Sequence, residues 1–231
     1  MAAPVDGVCH ELPIPPYLLG LWLGDGATNS SRFTCSDKDV EIIERIKALG
    51  YPVHKVKGSC AWSISTGLKD RDSKTNSFQV QLRRLGVLGN KHIPNAYMNA
   101  PFSDRLELLQ GLMDTDGFIS KGQGQCEFVQ KKREIALDVY TLAASLGMRP
   151  TIHAKRAFCN GKDCGIVYRV MFHAYREIPV FKLKRKLERL RERPVKRGLQ
   201  IIGRSFACDP VQLRPGQVHR SCILLIYCYL V

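Results

Sequence analysis

The sequence predicts an α/β (α+β) fold made of two copies of one unit. Three observations carry that expectation: an apolar segment ending in Asp-Gly that occurs twice, a second helix in each copy that stops at Leu-Gly, and paired strand-like runs after each stop. PPYLLGLWLGDG at 15–26 returns as LELLQGLMDTDG at 106–117. Each copy reads helix, strands, helix, strands, helix over about 90 residues, with antiparallel hairpins. Two such copies in one chain fit a monomer with internal pseudo-twofold symmetry.

Pro15 and Pro16 open the first helix, where a missing N–H costs nothing. Leu18, Leu19, Leu21, Trp22 and Leu23 make it apolar on every side, so burial all round is expected. Gly20 and Gly24, one turn apart, and their equivalents Gly111 and Thr115 are small enough for two helix backbones to approach closely, which predicts that the repeat helices cross. Each ends in an aspartate, Asp25 or Asp116, before a glycine suited to a left-handed cap. Strand runs SRFTCS and QCEFVQ follow. The second helices come next, with Val40, Ile43, Ile46 and Leu49 in one copy and Ile135, Val139, Leu142 and Leu146 in the other at helical spacing, capped by Gly50 and Gly147. The hairpins are YPVHKVKG with CAWSIS, and TIHAKR with IVYRVMFHA. FQVQLRRLGVLG then leads to Lys91, His92, Ile93 and Pro94 in the first copy. In the second, Arg176, Glu177, Ile178 and Pro179 lead to a basic helix over 181–198, with Val180, Leu183, Leu187 and Leu190 as its packed stripe and Lys184, Arg185, Lys186, Arg189 and Arg191 turned to other faces.

With 35 Lys and Arg against 21 Asp and Glu the chain carries a formal +14, so polyanions are the expected partners. Half of that excess comes from 181–198, with nine basic residues and two acidic ones. The longest apolar run, 223–231, is too short for the ~20 residues a membrane helix needs. MAAPVDGVCHELPIPP has neither a basic nor an apolar signal region, so a reducing, cytoplasmic location is expected. The odd total of nine scattered cysteines argues against a disulfide framework. Cys159 and Cys164, with His153 or His173 nearby, could be read as a zinc knuckle, but Asn-Gly and Cys-Gly between strand-like runs favour a hairpin turn.

An aspartate at a helix C-terminus faces the negative end of the macrodipole and is disfavoured by ~0.3–1 kcal/mol. A hard divalent cation offsets that, because carboxylates and unpaired terminal carbonyls are the oxygen donors Mg²⁺ or Ca²⁺ prefers. A single Asp-Gly would be read as a turn; two at equivalent points of a repeat favour paired carboxylates for metal-assisted attack on phosphodiesters.

LLGLWLGDG at 18–26 and LQGLMDTDG at 109–117 resemble the two signature helices of the LAGLIDADG, or DOD-type, homing endonucleases, with Leu23 standing where the name has its first Asp. The resemblance spans about 15–194, and Lys91 to Pro94 closing the first half is similar to the endonuclease domains embedded in inteins. It implies a Mg²⁺-dependent, site-specific double-strand DNA endonuclease of intein origin, with double-stranded DNA carrying a long target site as partner. It implies that Asp25 and Asp116 are catalytic and bind metal, with carbonyls of Gly24 and Thr115 as secondary ligands, and that Lys91 positions water or stabilises the pentavalent phosphate. Arg176 is the position that matches Lys91, and arginine is no free substitute for lysine. The strands would saddle the DNA major groove. Alternation then turns Arg32, Thr34, Lys55, Lys57, Ser63, Ser65, His153, Lys155, Arg169 and His173 outward, from apolar partners such as Phe33, Trp62, Ile64, Ile152, Ala154 and Phe172. A second class stays open: the architecture can bind nucleic acid without cutting, as a maturase or transcription regulator does, or be a fragment of a splicing intein. The expected organisation is an N-terminal extension (1–14), halves at 15–100 and 101–194, and a basic linker and tail (195–231) that is a splicing-domain remnant or a frame-shifted reading. The start at Met1 and the end in CYLV favour a free-standing or truncated endonuclease over self-splicing.

Overall fold

The computed structural model describes residues 11–68, 77–121 and 124–193, all within the unit Met1–Arg193. The expectations for most of the N-terminal extension and for the 195–231 tail lie outside the described residues.

The first half runs α1 (Pro16–Asp25), β1 (Arg32–Thr34), a 3₁₀ turn (Asp37–Asp39), α2 (Val40–Ala48), β2 (Val53–Lys55), β3 (Ala61–Ile64), α3 (Phe78–Arg84) and a short α4 (Asn95–Met98). The second runs α5 (Phe102–Thr115), β4 (Gly117–Ile119), β5 (Gln125–Gln130), α6 (Arg133–Ser145), β6 (Thr151–Cys159), β7 (Lys162–His173) and a one-turn α7 (Lys184–Leu187). The strands form two antiparallel sheets, β1-β3-β2 and β4-β5-β7-β6. The repeat extends into the register: the isolated bridge Gly26–Phe33 stands where Gly117 pairs with Phe128, so a single bridge in the first half marks the place of β4 in the second.

All residues from Tyr17 to Leu23 in α1 are buried, as an all-apolar helix demands. Each large aliphatic side chain taken out of water there contributes roughly 1.5–3 kcal/mol. The start of α1 is pinned at Ile14, whose N–H donates to Tyr97 Oη at 3.1 Å while that hydroxyl donates to Ile14 O at 2.7 Å. Helix α5 packs on α1 through the small residues: a Cβ on Gly20 would lie 2.3 Å from Leu108 O, and one on Gly111 2.2 Å from Tyr17 O. Backbone cannot yield at such distances, so these two positions exclude side chains and the predicted crossing is observed.

The structure corrects four local expectations. In α2 the buried stripe is Ile42, Ile43 and Ile46, with Val40 half exposed, because Val40 begins the helix on its outer edge. Gly26 is extended (φ −70°, ψ 145°), and neither it nor Gly117 has the positive φ of Gly50 and Gly147. Both are needed for close approach instead, a Cβ falling 2.2 Å from Trp22 O or 2.4 Å from Met113 O. Over the described part of the basic segment only Lys184–Leu187 is helical, although Val180, Leu183 and Leu190 are buried as expected. Lys186 does not face outward: it is 5% exposed. The Asn160-Gly161 corner between β6 and β7 has φ of 49° and 76°, the hairpin geometry that Asn-Gly favours.

Candidate active site

The last turns of α1 and α5 meet. A Cβ on Gly24 would lie 2.0 Å from Thr115 Oγ1 and 3.6 Å from Asp116 Oδ2, so the two Asp-Gly ends face each other. Both aspartates are partly buried. Burial, and then the Asp25 charge, push the Asp116 carboxyl up to about 6, and burial also raises Asp25. Gln130, the last residue of β5, donates from Nε2 to Asp116 Oδ2 at 3.1 Å, while Thr34 Oγ1 donates to the Asp25 carbonyl at 3.3 Å. A cleft of about 380 Å³ opens beside this end, with Asp25, Thr34, Cys35, Asp39 and Thr115 among its lining.

Each helix end is capped by a lysine. Lys91 Nζ donates to Leu23 O (3.0 Å), Gly24 O (3.1 Å) and Gly26 O (2.6 Å), and sits 5.1 Å from the Trp22 ring centre. Lys186 Nζ donates to Met113 O (2.8 Å), Asp114 O (2.7 Å), Thr115 O (3.4 Å) and Gly117 O (2.7 Å). Asp114, Thr115 and Gly117 are the repeat equivalents of Leu23, Gly24 and Gly26, so Lys186 is the structural counterpart of Lys91. The two cations offset the negative end of both macrodipoles and the paired carboxylates. Burial lowers both ammonium groups to about 8, against the aspartates that raise them.

This corrects the match of Lys91 with Arg176. Arg176 bonds a different stretch of chain, its Nε donating to Leu190 O at 2.9 Å and its N–H to Arg191 O at 2.9 Å. The shared Ile-Pro that aligned the two positions is not in structural phase. Spacing from the preceding aspartate was the better signal, because it places Lys186 nearer than Arg176 to the Asp25-to-Lys91 interval. The carbonyls of Gly24 and Thr115 both accept from lysine here, which leaves each one lone pair for a further partner.

Three more contributors escaped the sequence reading. The sequence pattern places Gln130 only at the end of a strand run. Asp114 is buried and accepts Tyr17 Oη (2.8 Å) and the N–H groups of Lys182 and Leu183 (both 3.1 Å to Oδ1). It therefore ties α1 and the segment before Lys186 to the end of α5. His54 is exposed and pairs with Ser63, which pairs with Arg32.

Register sorts the expected outward residues. Arg32, Thr34, Ser63 and His54 share one face of the first sheet. Lys55 does not join them: it pairs with Trp62, lies 5.7 Å from that ring and bonds Asp37 at 2.9 Å, so it covers the apolar face from its edge. Lys57 sits in the exposed turn past β2, and Ser65 one residue past β3, where its Oγ accepts Gly67 N–H at 3.2 Å. Trp62 is only partly buried. In the second sheet His153, Lys155, Arg169 and His173 share a face with Gln125 and Glu127, as alternation requires. Arg169 is not free there, since its guanidinium forms a two-point pair with Glu127 through Nε–Oε1 (2.8 Å) and Nη2–Oε2. Val170 and Phe172 are buried beneath, while Ala154 is exposed because β6 has already run beyond the core.

Residues 103–192 match the family model described as a LAGLIDADG-like domain. The replicative DNA helicase DnaB of Mycobacterium intracellulare is 35% identical over 200 residues, 87% of this chain and 30% of that protein. An iron-sulfur cluster assembly SufBD family protein of Mycobacterium leprae (strain TN) is 28% identical over 145 residues, 58% of this chain and 16% of that protein. The chain thus spans less than a third of either relative. Among solved structures, mesophilic variants of the homing endonuclease I-DmoI align at 16% identity over 69% of this chain and 88% of theirs, with a TM-score of 0.42. I-DmoI in complex with DNA and Ca aligns at 16% over 69% and 82%, also at 0.42. Residues 103–192 thus carry a LAGLIDADG-like domain that spans the second half, and the first half repeats its helix ending in Asp-Gly, its sheet order and its capping lysine.

Proposed function

We propose that this chain is an intein-derived, site-specific DNA endonuclease that hydrolyses both strands of double-stranded DNA with a divalent cation, Mg²⁺ by preference. One observation carries the reading: Asp25 and Asp116 end two helices packed backbone to backbone, and each end bears its own lysine, Lys186 buried and Lys91 partly buried. A structural turn needs neither the raised carboxyls nor the lysines. Asp25 and Asp116, with the remaining lone pairs of Gly24 O and Thr115 O, are hard oxygen donors that suit a divalent cation. Such a cation supplies Lewis-acid polarisation of a phosphodiester and a more acidic bound water. Lys91 and Lys186 hold fixed positive charge where the pentavalent phosphate gains negative charge, one for each strand. Arg32, Thr34, His54 and Ser63 on one sheet, with His153, Lys155 and His173 on the other, offer donors to phosphates and base edges, so the DNA lies across the two sheet faces. Intein origin is supported by the relatives: a helicase and an iron-sulfur assembly protein differ in function, yet both carry a segment similar to this one within a much longer chain.

The test is a plasmid carrying the uninterrupted host-gene site. Purified protein is expected to linearise it with Mg²⁺ and leave it intact with EDTA, while Asp25→Asn and Asp116→Asn bind the DNA and fail to cut both strands. Normal double-strand cleavage by either variant would return the aspartates to a turn role, and binding without cleavage by the unaltered protein would establish the regulator or maturase class instead.

A further inference from the structure

Both capping lysines ride on segments gripped by the opposite half of the molecule. Before Lys186, the first half supplies three contacts: Arg45 Nη2 donates to Lys182 O at 2.8 Å, Lys184 N–H donates to Glu41 Oε2 at 3.4 Å, and Arg185 donates to the two oxygens of Asp39 at 2.6 and 2.8 Å. The exchange is returned two residues past Lys91, where Ile93 N–H donates to Asp138 Oδ2 of α6 at 2.9 Å. The Asp39 side chain is the more sheltered partner, 13% exposed against 49% for Arg185, and the guanidinium holds its carboxyl below the usual carboxylate range.

We propose that Asp39 and Asp138 are positioning residues exchanged between the halves, Asp39 setting Lys186 through Arg185 and Asp138 setting Lys91 through the backbone of Ile93. A two-point guanidinium–carboxylate pair fixes direction as well as distance, and Arg185 is the immediate neighbour of Lys186. A partly exposed ion pair adds little to global stability, so its consequence is local placement. Placement matters to chemistry because a shift of about 1 Å in a reacting arrangement costs on the order of a hundredfold. The consequence for strand cleavage rests on the nuclease reading above; the placement of the lysines does not.

Acetylation by a small acid anhydride, read peptide by peptide by mass spectrometry on the full chain, separates the two. Asp39→Ala is expected to raise labelling of Lys186 by about fivefold or more while Lys91 stays at its original rate, and Asp138→Ala to do the reverse. Asp39→Glu should restore most of the protection of Lys186. Equal gains at both lysines, or no gain at either, would overturn the proposal, since general loosening raises both. If Asp39→Ala fails to fold, the charge exchange Asp39→Arg with Arg185→Asp replaces it, and Lys186 protection there supports the pairing while its loss overturns it. Where the unaltered protein cuts DNA, single-turnover cleavage with each strand labelled should show the same selectivity, Asp39→Ala slowing one strand and Asp138→Ala the other; equal slowing of both would also overturn it. Should the unaltered protein cut neither strand, the nuclease reading falls and the acetylation pattern still decides the positioning.

Discussion

The two halves agree most closely where they touch and diverge most where they face solvent. At the α1–α5 crossing Gly20 and Gly111 are interchangeable, each opposite backbone of the other helix, and the lysine caps share three equivalent carbonyls, Lys186 adding Met113 O. Away from it, β2 and β3 have three and four residues, whereas β6 and β7 have nine and twelve and carry Phe158 and Ile166 exposed on their outer reach. Even where the helices end the halves differ: Leu23 holds the position equivalent to Asp114, and Cys35 that equivalent to Gln130. Backbone-to-backbone packing admits one solution at each position, so it keeps the copies alike, while a solvent-facing hairpin tolerates many lengths.

If the lysines are true equivalents, Lys91→Met and Lys186→Met should each slow single-turnover cleavage on the order of a hundredfold, each chiefly on one strand. An effect from Lys91 alone would break the symmetry of the site. At the crossing, Gly20→Ala and Gly111→Ala should each destabilise the fold by roughly 3 kcal/mol or more and by similar amounts, as read by urea unfolding. A mild effect at either position would show that the helices can separate there.

The paired carboxylates predict a smaller effect with a definite sign. Asp116 has a folded pKa of about 6, above its ordinary 3.8, so without metal the folded state holds this proton more tightly than the unfolded one. That contribution is lost as pH rises through about 6, and Asp116→Asn should stabilise the metal-free protein at pH 8 by roughly 2 kcal/mol. Added Mg²⁺ should raise the thermal midpoint of the unaltered protein and not of Asp116→Asn, and should do so less below pH 6, where the proton competes. A midpoint that ignores both the ion and the pH would remove the cation from this pair. Smallest of all, Arg176→Met should change cleavage by less than about threefold, because among the described residues Arg176 bonds the chain at Leu190 and Arg191.

The sequence by itself determined the repeat, the buried helix, the crossing and the two Asp-Gly ends. These are local or periodic properties: Pro15 and Pro16 set a start, an all-apolar run demands burial, and glycines one turn apart permit only close packing. Strand alternation was legible too, since polar and apolar residues exchange over Gln125–Phe128 and in RFT, but it failed for Lys55 at an edge where a long side chain can cover an aromatic ring. Only the tertiary structure decided which lysine caps the second helix end. In a run as basic as 181–193, composition cannot distinguish the one ammonium group that turns inward from those that stay in water. That choice is made by four carbonyls at the end of α5 and by Asp114, which anchors the preceding turn, and these groups lie some seventy residues away in the chain. Hydrogen-bond satisfaction at a helix end is a property of the assembled fold, so no local pattern could announce it.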